Sequence, residues 1–263
     1  MTDEASRPVP SSPSGEGDDP SEAPAVEAPQ FEAPQFEAPQ FEAEYFAANY
    51  RDYAAQNPPW KLRFYLSVIE RLAPPARKEG QERRLLDVGC GLGRFLAHAA
   101  EHTSFSLAGT DLSRHAVEHN RRCWPAIDFR TASATDRPFP EGSLDVLTAF
   151  DVIEHVPDLA GVGEAAASML RPGGLFVFVV PVYDGLSGPV IRLLDKDPTH
   201  VHKNPRRFWL DWAAQRFEVL EWWGMLRYLL PGGFYLHLPT RRGRNHTPAV
   251  LVAARRPTEI SGR

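Results

Sequence analysis

Arg84-Leu85-Leu86-Asp87-Val88-Gly89-Cys90-Gly91-Leu92-Gly93-Arg94-Phe95-Leu96 decides how the rest of the chain is read. An apolar run containing a β-branched residue meets three glycines at alternate positions. An apolar, helix-compatible segment follows, with Phe95, Leu96, Ala97, Ala99 and Ala100. That order predicts a strand over 84–88, a tight turn and a helix over 94–102. Glycines let a backbone take positive φ and come close to a ligand. The helix N-terminus beyond them presents unpaired N–H groups and partial positive charge. The turn is suited to holding something polar.

A dinucleotide fingerprint would place its third glycine at position 94, where this chain has arginine. Asp87 stands just before the turn, where a carboxylate repels a pyrophosphate and welcomes an ammonium. A ligand bearing both a carboxylate and an ammonium fits better, and S-adenosylmethionine is one. Downstream, Ser106-Leu107-Ala108-Gly109-Thr110-Asp111-Leu112-Ser113 reads as a strand ending in an acid. Asp111 follows the turn by about 20 residues, where an acid can accept both ribose hydroxyls.

Four stretches now stand in order: LLDVGCGLGRFL, GTDLS, PFPEGSLDVLTAFDVIEHVPD and LRPGGLFVFVVP. Together they resemble the class I S-adenosylmethionine-dependent methyltransferase family, closely over residues 83–181 and loosely elsewhere. The resemblance implies a methyltransferase with S-adenosyl-L-methionine as cofactor. Its implied fold is a Rossmann-like, doubly wound, mostly parallel seven-stranded sheet with an antiparallel edge strand.

The residue pattern independently predicts an α/β chain. Strands are expected at 84–88, 106–110, 127–131, 144–150, 175–180, 217–222 and 249–253. Helices are expected at 60–72, 94–102, 114–123, 159–170 and 206–216. Pro172-Gly173-Gly174 reads as a turn, and 225–247 as irregular. Alternating strands and helices imply a parallel sheet, and ligands of such sheets bind beyond the carboxyl ends of the strands. One edge of the sheet should then carry every functional group.

Charge divides the chain. Its net charge is −5, and residues 1–43 hold ten acids and one base, −9, so the remainder carries +4. That balance is too weak to argue for nucleic acid. Residues 1–43 are rich in Pro, Glu, Ser and Ala and are expected to be disordered, since such a segment cannot offset its chain entropy by burial. Within them Glu-Ala-Pro-Gln-Phe occurs three times in tandem. Its phenylalanines are either a docking motif for a protein partner or stray aromatics of a low-complexity tail. Residues 44–82 are expected to form a helical lid, with Tyr45, Tyr50, Tyr53 and Trp60 as candidates to cover the cofactor. Residues 83–263 form the catalytic domain, with 182–204 and 225–247 as substrate-facing cover. Two cysteines, Cys90 and Cys123, make no disulfide framework. No apolar run is long enough to span a membrane, and a cytoplasmic protein is the expectation.

Residue by residue, the resemblance assigns the methionine end of the cofactor to Asp87 and to the turn Gly89, Cys90, Gly91 and Gly93. It assigns the ribose to Asp111 and the adenine face to Leu112. The adenine edge departs from the family pattern. Ser133 occupies the position where an acid is usual, leaving Ser133, the Ala134 N–H and Asp136 as candidate partners. Asp151 to His155 follow the fourth strand and border the methyl group. His155 is the first candidate general base and His200 the second, with His202 beside it. No metal site is expected, because no carboxylate or third histidine stands at matching spacing around His200 and His202. Arg206, Arg207, Arg241, Arg242 and Arg244 are either contacts for an acidic acceptor or a solvated face. The function expected is methyl transfer to a small-molecule acceptor at oxygen. An RNA or carrier-bound substrate and a non-catalytic binding module are the alternatives.

Overall fold

The computed structural model describes residues 53–78, 81–185, 188–195, 197–230 and 234–258. The expectations for residues 1–43, and for Tyr45 and Tyr50, lie outside them. A single helical turn, Tyr53–Gln56, precedes α1 (Pro59–Leu72). Then come β1 (Arg84–Val88), α2 (Arg94–His102), β2 (Ser106–Asp111), α3 (Arg114–Cys123), β3 (Asp128–Thr131) and β4 (Leu144–Phe150). A short 3₁₀ turn (Ile153–His155) leads into α4 (Leu159–Met169), β5 (Leu170–Pro181), α5 (Gly188–Leu194) and α6 (Arg206–Ala214). The chain closes with β6 (Glu218–Leu230), β7 (Phe234–Thr240) and β8 (Ala249–Arg255).

The strands form one sheet in the order β3-β2-β1-β4-β5-β8-β6-β7. The first five are parallel, and β8, β6 and β7 pair antiparallel in turn. In β5, Phe176, Phe178 and Val180 face one layer while Leu175, Val177 and Val179 face the other, all fully buried. Successive side chains of a strand point to opposite faces, so an unbroken apolar run reads as a strand covered on both sides. One cover is α4 with α6, through Val162, Ala166, Trp209 and Trp212. The other is α1 with α2 and α3, through Leu62, Tyr65, Ile69, Leu96 and Val117. Helix α1 is thus a core element, with Trp60 exposed near its start.

Three expectations are corrected. The sheet has eight strands, not seven, and two rather than one, β8 and β7, run against the parallel set, while β6 between them runs with it. The segment 225–247, expected to be irregular cover, is mostly the β6–β7 hairpin. Gly224 lies inside β6, where its missing side chain is needed for contact. A Cβ there would come within 2.6 Å of Thr247 Oγ1 and 2.7 Å of Arg244 Cα, the close-approach role that glycine plays in strands. Pro239 is tolerated because β7 is the edge strand. Finally, Pro172-Gly173-Gly174 lies within β5, as an irregularity between the Leu144↔Leu170 and Val146↔Leu175 pairs.

Parallel neighbours lie on both sides of β1, with β2 on one flank and β4 on the other. The chain reverses its winding there. A crevice opens at such a switch point beyond the carboxyl ends, and the glycine turn and Asp151 emerge beside it.

Candidate functional site

The turn after β1 is rigidly specified. Gly89, Gly91 and Gly93 all have positive φ, at 66°, 50° and 68°. A Cβ on Gly89 would run into both methyls of Val152, and one on Gly93 would meet Trp124 and Asn120. Gly93 is the N-cap of α2 and, having no side chain, leaves the first N–H groups of that helix to other partners. Asn120, buried in α3, donates from Nδ2 to the Gly91 carbonyl at 2.8 Å. Cys90 is buried beneath the turn, its N–H bonded to the Thr110 carbonyl. Burial pushes its thiol well above the ordinary value, so it packs rather than reacts.

Two carboxylates flank this turn. Asp111 accepts from the Gly91 N–H through Oδ2 at 2.8 Å and from the Ser113 N–H through Oδ1 at 2.9 Å. These bonds fix its plane, and since each oxygen has two lone pairs, the outer pair can still meet a diol. Asp87 is only 3% exposed and accepts at 2.6 Å from the Thr148 hydroxyl. Burial is the main force raising its pKa from 3.8 to about 7, with Thr148 opposing and Asp111 assisting. Such a poorly solvated carboxyl is favourably placed to receive a cation. Leu112 follows directly on β2 and is half-buried.

Beyond β3, Ser133 and Ala134 sit in a small turn closed by the Asp136 carboxylate, which accepts from the Ser133 N–H at 2.8 Å. The Ser133 hydroxyl lies 3.1 Å from that of Thr135. The Ala132 N–H bonds to the Asp111 carbonyl, which ties this turn to the end of β2.

The segment after β4 is strained and charged. Asp151 has φ 58°, the one described residue other than glycine in that region, and its N–H bonds to Val179. Arg227 of β6 bonds Asp151 Oδ1 at 2.5 Å. Burial would raise Asp151, but Arg227 and Lys61 outweigh burial and hold its carboxyl below the ordinary value. Burial also lowers Lys61 to about 8 and His237 of β7 to about 3. Lys61, Arg227 and His237 therefore gather around Asp151 from three separate elements.

Further along, the rings of His155 and His200 pack against each other, tilted by 47° with centroids 4.6 Å apart. His155 Nδ1 meets the Thr199 hydroxyl at 2.9 Å, and that hydroxyl donates to Asp197 at 2.5 Å. His200 Nδ1 meets Asp195 Oδ2 at 2.9 Å, where Tyr183 and Lys203 also bind. Burial would raise Asp195, but these bonds hold its carboxyl well below the usual range. Burial and the neighbouring His200 keep His155 below 6.5. Glu154 is fully buried, and burial with the nearby Asp151 carboxylate pushes it well above the ordinary range.

The structure thus gathers Asp87, the glycine turn and Asp111 at one part of the carboxyl edge, and Asp151, His155 and His200 along the continuation of β4. His202 does not join His200. Its Nε2 lies 2.9 Å from the Val156 carbonyl and its N–H bonds to the Glu154 carbonyl, so it fastens the loop to the segment after β4. The late arginines do not form one face. Arg206 is buried against the carbonyls of Asn245 and Thr247, Arg241 pairs with Glu221, and Arg244 lies 3.7 Å over the Trp222 ring. Sequence reading missed Asn120, Thr148, Glu154, Lys61, Arg227 and His237. Of these, Glu154, in the run Asp-Val-Ile-Glu-His, and Lys61, next to Trp60, stood beside residues already singled out.

Comparison with known proteins gives the family. A family model described as a methyltransferase domain matches residues 53–229. A 27-O-demethylrifamycin SV methyltransferase of Amycolatopsis mediterranei is 30% identical over 212 residues, covering 66% of this chain and 77% of that protein. A ubiquinone biosynthesis O-methyltransferase of Ralstonia nicotianae is 36% identical over 118 residues, 43% of this chain and 47% of that one. The chain thus spans about half the length of the ubiquinone-pathway relatives it matches, 47% and 48% in two of them. Among solved structures, geranyl diphosphate methyltransferase in complex with GPP and sinefungin shares the fold, with TM-score 0.55 and 18% identity over 74% of this chain and 78% of that one. Among the described residues, no helix is long and apolar enough to cross a membrane.

Proposed function

The chain belongs to the class I S-adenosylmethionine-dependent methyltransferase family, and from that premise we propose that it transfers a methyl group from S-adenosyl-L-methionine to an oxygen of a small-molecule acceptor. The observation that carries the donor half is the turn between Asp87 and Asp111. Asp87 receives the methionine ammonium, Asp111 the ribose diol, and the N–H groups around Gly91 and Gly93 lie close to the methionine end. Leu112, Ser133 and Ala134 border the adenine. Ser133 offers a hydroxyl where a carboxylate would bind the amino group more strongly.

The acceptor half rests on Asp151, His155 and His200. Methyl transfer is an in-line displacement that needs alignment and exclusion of water. The acceptor oxygen forms a bond to the methyl carbon as the carbon–sulfur bond breaks, and the electron pair stays on sulfur. A hydroxyl acceptor must also lose its proton. The Thr199 hydroxyl donates to Asp197, so toward His155 it accepts, and the His155 proton sits on Nδ1. Its Nε2 is then the basic atom. The Ralstonia relative is named an O-methyltransferase and the Amycolatopsis relative a methyltransferase of 27-O-demethylrifamycin SV, which supports oxygen as the target. Of the arginines that would favour a nucleic-acid substrate, Arg206, Arg241 and Arg244 make internal contacts.

The test is calorimetry with the cofactor, followed by a metabolite screen with isotopically labelled methyl donor and identification of the methylated atom. Wild type should bind one cofactor, and Asp111→Ala should weaken binding by about 1.5–3 kcal/mol. His155→Ala should slow turnover about 10²–10⁴-fold with cofactor affinity nearly unchanged. No cofactor binding would sink the reading, and label on nitrogen or carbon would overturn its choice of oxygen.

A further inference from the structure

Glu154 is 0% exposed, and among the described residues neither of its carboxyl oxygens accepts a hydrogen bond. A buried polar group left in that state is costly. His155 Nε2 stands 4.0 Å from Glu154 Oε1. One ring nitrogen of His200 completes a set of three ligand atoms that all lie within 4.8 Å of one another.

The hydrogen bonds around the set fix where the protons are. The His155 proton sits on Nδ1, facing Thr199. Tyr183 donates to Asp195, so the Asp195 carboxylate accepts from His200 Nδ1 at 2.9 Å. Both imidazoles are held as Nδ1–H tautomers, and their Nε2 atoms carry the lone pairs. Two imidazole rings and the Glu154 carboxyl therefore converge on one point. Metal-binding histidines are braced in this way, the far nitrogen bonded to a carboxylate or hydroxyl.

We infer that Glu154, His155 and His200 form a binding site for one divalent transition-metal ion. Two imidazoles with one carboxylate suit zinc, manganese or iron(II), whereas magnesium and calcium take oxygen ligands. Two ligand atoms bonded at about 2.1 Å can stand no more than about 4.2 Å apart, so the set closes by a fraction of an ångström on binding. Only the consequence of the site rests on the proposed methyl transfer. With the ion bound, an acceptor hydroxyl ionises on it and releases its proton to solvent, and His155 serves as a ligand rather than as the direct proton acceptor.

The test titrates cofactor-free, full-length protein with Co²⁺, read by visible absorption and by calorimetry, with Zn²⁺ as competitor. One Co²⁺ per chain should bind, with ligand-field bands that Zn²⁺ abolishes. Glu154→Gln and His200→Gln should each weaken binding on the order of 100-fold, and Asp195→Asn, which removes a brace but no ligand, about 10–100-fold. Glu154→Gln keeps the side-chain shape, and a melting curve on each variant confirms folding. The double variant His98→Gln/His102→Gln controls for the exposed group His98, Glu101 and His102 on α2 and should leave the signal in place. Absence of saturable binding below millimolar Co²⁺ would overturn the inference. So would binding that survives both Glu154→Gln and His200→Gln, or binding lost only in the α2 variant. Cofactor affinity measured separately distinguishes this failure from failure of the methyltransferase reading.

Discussion

With Asp87 holding the methionine ammonium as proposed, cofactor binding should depend on pH, and the size of the effect follows from the surroundings of Asp87. Burial lifts its pKa from 3.8 to about 7 in the cofactor-free protein. If the methionine ammonium needs the ionised carboxylate, affinity is scaled by the ionised fraction. That fraction is about nine-tenths at pH 8 and about one-tenth at pH 6, so affinity should fall about tenfold over this interval, or about 1.4 kcal/mol. The same group acts on stability with a definite sign. A carboxyl whose folded pKa is raised contributes stability that is fully present below its unfolded value and is lost as pH rises through the folded one. The cofactor-free protein should lose up to about 4 kcal/mol between pH 4 and pH 7 from this group, at 1.36 kcal/mol for each pKa unit. Asp87→Asn removes the titration but keeps an oxygen to accept from Thr148. It should therefore melt higher than wild type near pH 8 without cofactor, bind the cofactor weakly, and show no rise in affinity from pH 6 to pH 8. The amino group of the cofactor titrates near 7.7–8.0 as a free α-amine, roughly, and imposes an alkaline fall common to both proteins. Calorimetric titrations from pH 5.5 to pH 8.5, with melting curves at each pH, measure both effects. A flat wild-type affinity between pH 6 and pH 8, or the same slope in Asp87→Asn, would refute the assignment of Asp87 to the ammonium.

Two further substitutions test the scaffold. Gly89→Ala forces an L-residue to φ 66° and drives its Cβ into Val152. It should lower stability by more than about 1–3 kcal/mol, and adding Val152→Ala should recover the clash but not the backbone strain, as read by denaturant melts. Glu221 is opposed by burial, yet Arg71, Trp223 and Arg241 hold its carboxyl below the ordinary value. Its stabilisation is present above the unfolded pKa and is lost as pH falls through the folded one. Glu221→Gln should therefore narrow the stability gap to wild type under acid conditions and leave a gap at pH 7, and equal gaps at both would remove the ion pairs as the cause.

The parallel half of the sheet was legible because its signals are local. The bounds of β1, α2, α3 and β4 coincide with the predicted spans, since each is an uninterrupted period ended by glycine, proline or a polar cap. Ser113 illustrates this, accepting from the Ala116 N–H as the N-cap of α3. The antiparallel half was not legible. Gly224 and Pro239 look like loop residues; Gly224 is a strand residue because β8 pairs with it and the 3₁₀ turn Arg244–His246 lies against it, and Pro239 because β6 pairs with it. That is a tertiary condition, absent from any window of sequence.

The site divides along the same line, and the division explains which chemistry could be foreseen. Asp87, Gly91 and Asp111 are linked by adjacent parallel strands in register, Asp87 opposite Gly109 and Val88 opposite Thr110. A fixed count of residues therefore brings the two carboxylates to the same turn, and spacing reveals them. Nothing comparable links β4 to the segment after β5. Glu154 and His155 meet His200 only because His202 anchors that segment to the backbone after β4 through the Glu154 and Val156 carbonyls. The expectation of no metal site judged His200 and His202 as a pair, two residues apart on one strand. In the fold they have separate work: His202 supplies the fastening, and His200 is brought near the Glu154 carboxyl, neither oxygen of which has a hydrogen-bond partner among the described residues. Arg227 and His237 reach Asp151 by the same kind of non-local route, through a hairpin that sequence reading took for irregular chain. The groups proposed to hold the donor are thus set by the parallel sheet, while those proposed to receive the acceptor come from the excursions added to it. Acceptor choice can then change through the 182–204 segment and the β6–β7 hairpin without disturbing the donor turn.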